Sequence, residues 1–194
     1  MTTTTTKRAT TRKKPEVIEE LPTNPFAFEV LNLVTKQRSN AKKIEVLRKY
    51  EDLSLKTILI WNFDESVISL LPPGEVPYAS TSEQNAYSGT LSGKIDDAVS
   101  KMSEINSNSL GSTDQGRSSI RKEYHMFYNF VKGGNDSLSS LRRETMFINI
   151  LQGLHPLEAE IVCLVKDKKL QEKYKITKEL VSEAYPDIQW GNRS

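Results

Sequence analysis

One cysteine in 194 residues, Cys163, excludes an internal disulfide and a cysteine-rich metal site. It lies in the apolar run Ile161-Val162-Cys163-Leu164-Val165, where a buried, unreactive thiol is expected. The two histidines, His125 and His155, have no cysteine or carboxylate partner at ligand spacing. Neither a G-x-x-x-x-G-K-[ST] phosphate loop nor a G-x-G-x-x-G turn occurs. Gly133-Gly134 precedes Asn135-Asp136 and reads as ordinary turn chemistry. Lys94-Ile95-Asp96-Asp97 lacks the glycine of a nucleotidyl-transferase motif. Acid pairs such as Asp64-Glu65 are sequence neighbours that do not face each other on a helix, and they are expected to be solvated. No catalytic constellation survives, so no enzyme activity and no cofactor are expected.

No apolar stretch approaches the ~20 residues that cross a bilayer, and the N-terminus has no apolar core of a secretory signal. No membrane association is expected, and a reducing cytoplasm is the expected compartment. No run alternates strictly between apolar and polar residues, so strands are not expected. Net charge is only +2, so the distribution of charge must decide whether nucleic acid is a partner.

What the chain does have is helical periodicity. The expected class is all-α: one multi-helix, bundle-like domain with a disordered basic tail and a mobile insertion. Residues 1–23 form the tail, where Lys7, Arg8, Arg12, Lys13 and Lys14 follow a threonine run without one acid. Residues 24–78 form the first helical half. Asn24-Pro25 should open a helix bearing Phe26, Val30, Leu33 and Val34. Ser39 or Asn40 should cap a second, and a third should span Leu53 to Phe63, apolar on most sides and therefore central. Pro72-Pro73-Gly74 and Pro77 then end regular structure.

Residues 79–116, rich in Ser, Thr, Asn and Gly, read as the insertion. Residues 117–190 form the second half. A helix with Ile120, Tyr124, Phe127, Tyr128 and Val131 should stop at Gly133-Gly134. Ser137 or Ser139 should cap the next, closed by Gly153. His155-Pro156 opens another, and Thr177 starts a last short helix that Pro186 ends. The aromatics Tyr124, Phe127, Tyr128 and Phe130 fit either core or base stacking, with core favoured by their spacing.

Two basic clusters stand out. The first is Lys36, Arg38, Lys42, Lys43, Arg48 and Lys49; the second is Lys166, Lys168, Lys169, Lys173, Lys175 and Lys178. Both sit at expected helix ends and turns, where backbone N–H groups add to anion binding. Such residues would hold phosphates and leave base edges unread. Lys166 to Lys169 also suit a helix C-terminus without any partner.

Two stretches carry a resemblance. FEVLNLVTKQRSNAKKIEVLRKYEDLSLKTILIWNFDESVISLLPPGEVPY, from Phe28 to Tyr78, resembles the start of phage ATP-dependent DNA ligases. LRRETMFINILQGLHPLEAEIVCLVKDKKLQEKYKITKELVSEAYPDIQWGN, with its Ala184-Tyr185-Pro186-Asp187-Ile188 ending, resembles the finish of their N-terminal α-helical DNA-binding domain. The chain also looks like small proteins of large tailed phages of marine bacteria. The resemblance implies a helical domain gripping the backbone of double-stranded DNA along the minor groove, in host cytoplasm during infection. Carried over by position, the contacts are Lys36, Lys42 and Lys43, then Lys168, Lys169 and Lys173; Arg38 joins them from the first cluster. The glycine of that family's pattern is replaced by Gln171-Glu172-Lys173-Tyr174, and with no nucleotidyl-transferase core in these 194 residues ligation is not expected of them. The expected function is a non-enzymatic phage accessory protein that binds duplex DNA. The alternative is a protein–protein adaptor or virion component, partnered by phage replication or virion proteins.

Overall fold

A computed structural model describes residues 20–79, 88–90 and 118–193, with the side chains of 77–79 and 88–90 outside the description. The fold is all-α around one hydrophobic core. The basic tail up to residue 19 and most of the expected insertion lie outside the described residues. The tail expected to run to residue 23 is anchored before that. Leu21 packs against the core and donates its N–H to the Tyr50 hydroxyl at 2.9 Å.

Helix α1 spans Ala27–Lys36, two residues later than Asn24-Pro25 suggests. Phe26 is extended, and Glu29 Oε2 accepts its N–H at 2.8 Å. Asn24 instead accepts from the Arg121 guanidinium at 2.7 Å. Helix α2, Asn40–Lys49, is capped by Ser39, whose hydroxyl accepts the Lys42 N–H at 3.3 Å. Helix α3, Leu53–Phe63, starts at the Asp52 cap and has the expected bounds. Its Leu55, Ile58, Leu59 and Trp61 are buried, which fits a helix apolar on most sides.

Strands β1, Pro77–Ala79, and β2, Ser88–Thr90, pair antiparallel. Regular structure therefore continues past Pro77, in a three-residue ribbon too short to show alternation in sequence. Helix α4, Ile120–Glu123, runs into a 3-10 segment, Tyr124–Phe130. That segment places Phe127 and Phe130 in the core against Trp61 and leaves Tyr128 exposed.

Helix α5, Ser140–Gly153, is capped by Ser139. Helix α6, Pro156–Lys166, is capped by His155. Helix α7, Leu170–Lys173, is a single turn absent from the sequence expectation. Its start is set by buried Asn62 of α3, whose side-chain Oδ1 accepts the Leu170 N–H at 3.1 Å. Thr177 caps α8, Lys178–Ala184. Helix α1 packs on α2 and α6, α2 on α8, and α3 on α4 and α6. No helix among the described residues is long and apolar enough to cross a membrane.

Asp64 corrects the expectation that the Asp64-Glu65 pair is solvated. Its carboxylate is 2% exposed and organises a long-range junction. Oδ1 accepts the Ser66 N–H and hydroxyl at 2.9 and 2.7 Å. Oδ2 accepts the Gly191 N–H at 2.9 Å and Arg193 Nε at 3.1 Å. Burial pushes this carboxyl up, and these donors together outweigh burial and hold it below its ordinary value.

Candidate nucleic-acid interface

The first basic cluster is built at the corner between α1 and α2. Lys36 ends α1, Arg38 sits in the connector, and Lys42 and Lys43 fall in the first turn of α2. The corner is tight because Val34 accepts the Gln37 N–H and Ser39 caps α2 at once. Lys43 Nζ then donates to the Lys175 carbonyl at 2.7 Å, across 132 residues of sequence. From the other direction, the Lys175 N–H donates to Thr35 Oγ1 at 3.4 Å. These two bonds lay the segment between α7 and α8 along the α1–α2 corner. Lys36, Arg38, Lys42, Lys43 and Lys175 thus occupy one edge, with Lys36 and Lys175 exposed and Lys43 half-buried.

The remaining cations serve other ends. Arg48 donates to the Glu183 and Ala184 carbonyls at 2.7 and 3.2 Å, closing the C-terminus of α8. Lys49 pairs with Glu20 at 3.2 Å. Lys166 is buried and donates to the Pro72 and Gly74 carbonyls at 2.8 and 3.1 Å, with Asp167 as its ion partner. It ties the Pro72-Pro73-Gly74 loop to the end of α6.

Lys168 has a left-handed backbone, φ 57°, and donates its ammonium to the Asp64 carbonyl at 2.6 Å. Burial pushes its pKa down, against the pull of Asp64 and Glu65. Its charge is directed inward, at the end of α3. Lys169 is exposed beside it. Lys173 pairs with Glu160 and lies over the Tyr174 ring at 5.8 Å. Lys178 lies over the Trp190 ring at 5.3 Å. Of the carried-over residues, the structure brings Lys36, Lys42 and Lys43 together at the corner. Lys168 and Lys169 stand at the separate α6–α7 turn. Lys175, in the second cluster but not among the carried-over residues, is the position that links the two clusters.

Phe127 and Phe130 are core residues. His155 is buried, stacks on Phe28 at 5.0 Å between ring centres, and lies 5.3 Å from Phe26. Cys163 is half-buried and burial pushes its thiol up to about 12, which keeps it protonated and unreactive at neutral pH. Among the described residues no group of three or more His, Cys, Asp or Glu side chains is placed to hold a metal ion.

A recess of about 360 Å³ lies where α1, α3 and α4 begin, with Asp52, Arg121 and Glu158 in its lining. These three charges are answered internally. Arg121 lies 3.5 Å from Asp52, and both oxygens of Glu158 accept backbone N–H groups.

A family model described as a family of unknown function (DUF6433) matches residues 30–103 and 104–172. No curated protein and no solved structure matches the chain.

Proposed function

The chain belongs to this family, and we propose that it is a non-enzymatic protein that binds the backbone of duplex DNA along the edge made by Lys36, Arg38, Lys42, Lys43 and Lys175. The reading is supported chiefly by the bond from Lys43 Nζ to the Lys175 carbonyl, which joins two basic clusters that are distant in sequence. Lysine ammoniums act as point charges on phosphate oxygens. Backbone N–H groups at the start of α2 add to the same field. Phosphate contacts of this kind set register on the duplex without reading its sequence. A place in phage DNA metabolism rests on the ligase-like stretches described above.

Five neutralised phosphates give a salt slope of roughly −4.5 in log K against log salt, at about −0.9 per phosphate. Fluorescence anisotropy with a labelled duplex should therefore show tight binding at low salt that falls steeply as salt rises. Lys42→Glu with Lys43→Glu should weaken binding while the far-ultraviolet circular dichroism stays unchanged. Lys168→Met should leave affinity unchanged, because Lys168 stands at the α6–α7 turn against the end of α3, outside the proposed edge. A weak response with no salt dependence near ~50 mM salt overturns the reading.

A further inference from the structure

The stretch from Tyr174 to Thr177, between α7 and α8, has no helix to fix its main chain. Its side chains are nonetheless sorted. Tyr174 and Ile176 are buried, 2% and 1% exposed, and Lys175 between them is exposed. The peptide groups of Lys175 are held from outside the stretch. Its N–H donates to Thr35 Oγ1 at 3.4 Å and its carbonyl accepts from Lys43 Nζ at 2.7 Å, so α1 and α2 each supply one partner. The Thr35 hydroxyl donates to the Leu31 carbonyl at 2.9 Å, which places its one proton within α1 and leaves the oxygen to accept.

We infer that Lys175 is a phosphate contact whose main chain the α1–α2 corner orders before DNA arrives, with Thr35 and Lys43 as its positioning residues. The inference rests on the duplex-DNA reading above and adds to it an uncharged residue on which the edge depends. Ordering a connector at the moment of binding takes away from affinity. Here Tyr174, Ile176, Thr35 and Lys43 order it in the free protein, and only the Lys175 side chain remains to be fixed on phosphate. Thr35 carries no charge and acts through Lys175. Lys43 acts twice. An ammonium has three N–H donors; one is directed at the Lys175 carbonyl and the others are left for phosphate. Removing Lys43 therefore takes two contacts from the edge, its own and that of the Lys175 it places.

The test follows duplex binding by the full chain as salt is raised. Thr35→Val keeps the size, the β-branching and the net charge but cannot accept a hydrogen bond. Its log–log salt slope should be less steep than that of wild type by about 0.9, the loss of one phosphate. Thr35→Ser, which keeps the hydroxyl, should return the wild-type slope. In a Lys175→Met background, Thr35→Val should change nothing further. Lys43→Met should flatten the slope by about 1.8 and Lys42→Met by about 0.9. Without DNA, amide hydrogen exchange at Lys175 should be faster in Thr35→Val than in wild type.

A Thr35→Val slope equal to that of wild type overturns the inference, as does a further loss in the Lys175→Met background. If Thr35→Val fails to fold, the lysine variants decide, and equal slopes for Lys43→Met and Lys42→Met overturn it. A wild type without salt-dependent binding overturns the DNA reading itself. The other outcomes arise with wild-type binding intact, so the two failures are read separately.

Discussion

Glu158 Oε1 accepts the main-chain N–H of Ala27 at 2.7 Å, across 131 residues of sequence. Its other oxygen accepts the Ile120 N–H at 2.5 Å. One carboxylate, 1% exposed on α6, thus closes the N-termini of both α1 and α4. Neither helix has a side-chain cap of its own making at those N–H groups. Glu158→Ala leaves two buried donors unanswered and should cost about 3 kcal/mol. The check is the denaturation midpoint, which should fall with an unchanged slope. A midpoint within experimental error of wild type would show that water replaces the carboxylate.

His155 holds the start of α6 in the same region. Its Nδ1 accepts the Leu157 N–H at 3.2 Å, which requires that nitrogen to be unprotonated. Burial pushes its pKa below the ordinary 6.5. Between the unfolded and folded values the unfolded chain binds the extra proton, so stability falls as pH drops below about 6.5. Glu158, one turn along the same helix, acts in the opposite sense, because burial raises its carboxyl above 4.5. The difference between wild type and His155→Asn isolates the imidazole, since Asn keeps a capping oxygen but does not titrate. That difference should slope downward as pH falls below about 6.5. A flat difference down to pH ~5 would mean the ring is not held neutral.

Asp64 ties the C-terminal residues to the end of α3. With its carboxyl held below the ordinary value, its contribution is present above the unfolded value near 3.8. That contribution is lost as pH falls through the folded value. Asp64→Ala should cost about 3 kcal/mol, given charge-assisted bonds to Ser66, Gly191 and Arg193. It should also release Gly191 to Arg193. Limited proteolysis followed by mass spectrometry should find cleavage after Trp190 in the variant before any cut in the core. Simultaneous loss of core and terminus would show that the junction is not a local one.

The difference between what was legible and what was not follows the distance of the partner in sequence. Ser39, Ser139 and Thr177 are legible as caps because the N–H they receive lies three residues on. Helix α3 is legible because eleven residues with apolar side chains on most sides have nowhere to go but the centre. Asp64 is illegible because Gly191 and Arg193, which bury it, arrive more than a hundred residues later. Lys166 reads as a solvated helix-end lysine until the Pro72 and Gly74 carbonyls are seen to converge on it. At the basic edge, the corner lysines were visible as a cluster. Their junction with Lys175 depends on the α7–α8 segment packing on the α1–α2 corner, and the inward turn of Lys168 on the α6–α7 turn meeting the end of α3, which no local pattern encodes.

Gly134 gives the sharpest local prediction. A β-carbon built on it would stand 1.9 Å from the Tyr128 carbonyl oxygen and 3.3 Å from that of Val131. Both obstacles are backbone, so no side chain can swing aside. Gly133 has the left-handed backbone, φ 79°, but a β-carbon there would make only an ordinary contact, 3.9 Å from the Arg193 carbonyl oxygen. The two neighbours therefore need glycine for different reasons, one for conformation and one for close approach. Gly134→Ala should force the 3-10 segment away from the Gly133-Gly134 turn and cost about 3 kcal/mol. Gly133→Ala should cost about 1 kcal/mol through its positive φ alone. Thermal denaturation of the two variants side by side checks the order. Equal losses, or a larger loss at Gly133, would mean that the chain relaxes around the Tyr128 carbonyl and that the close approach is not a constraint.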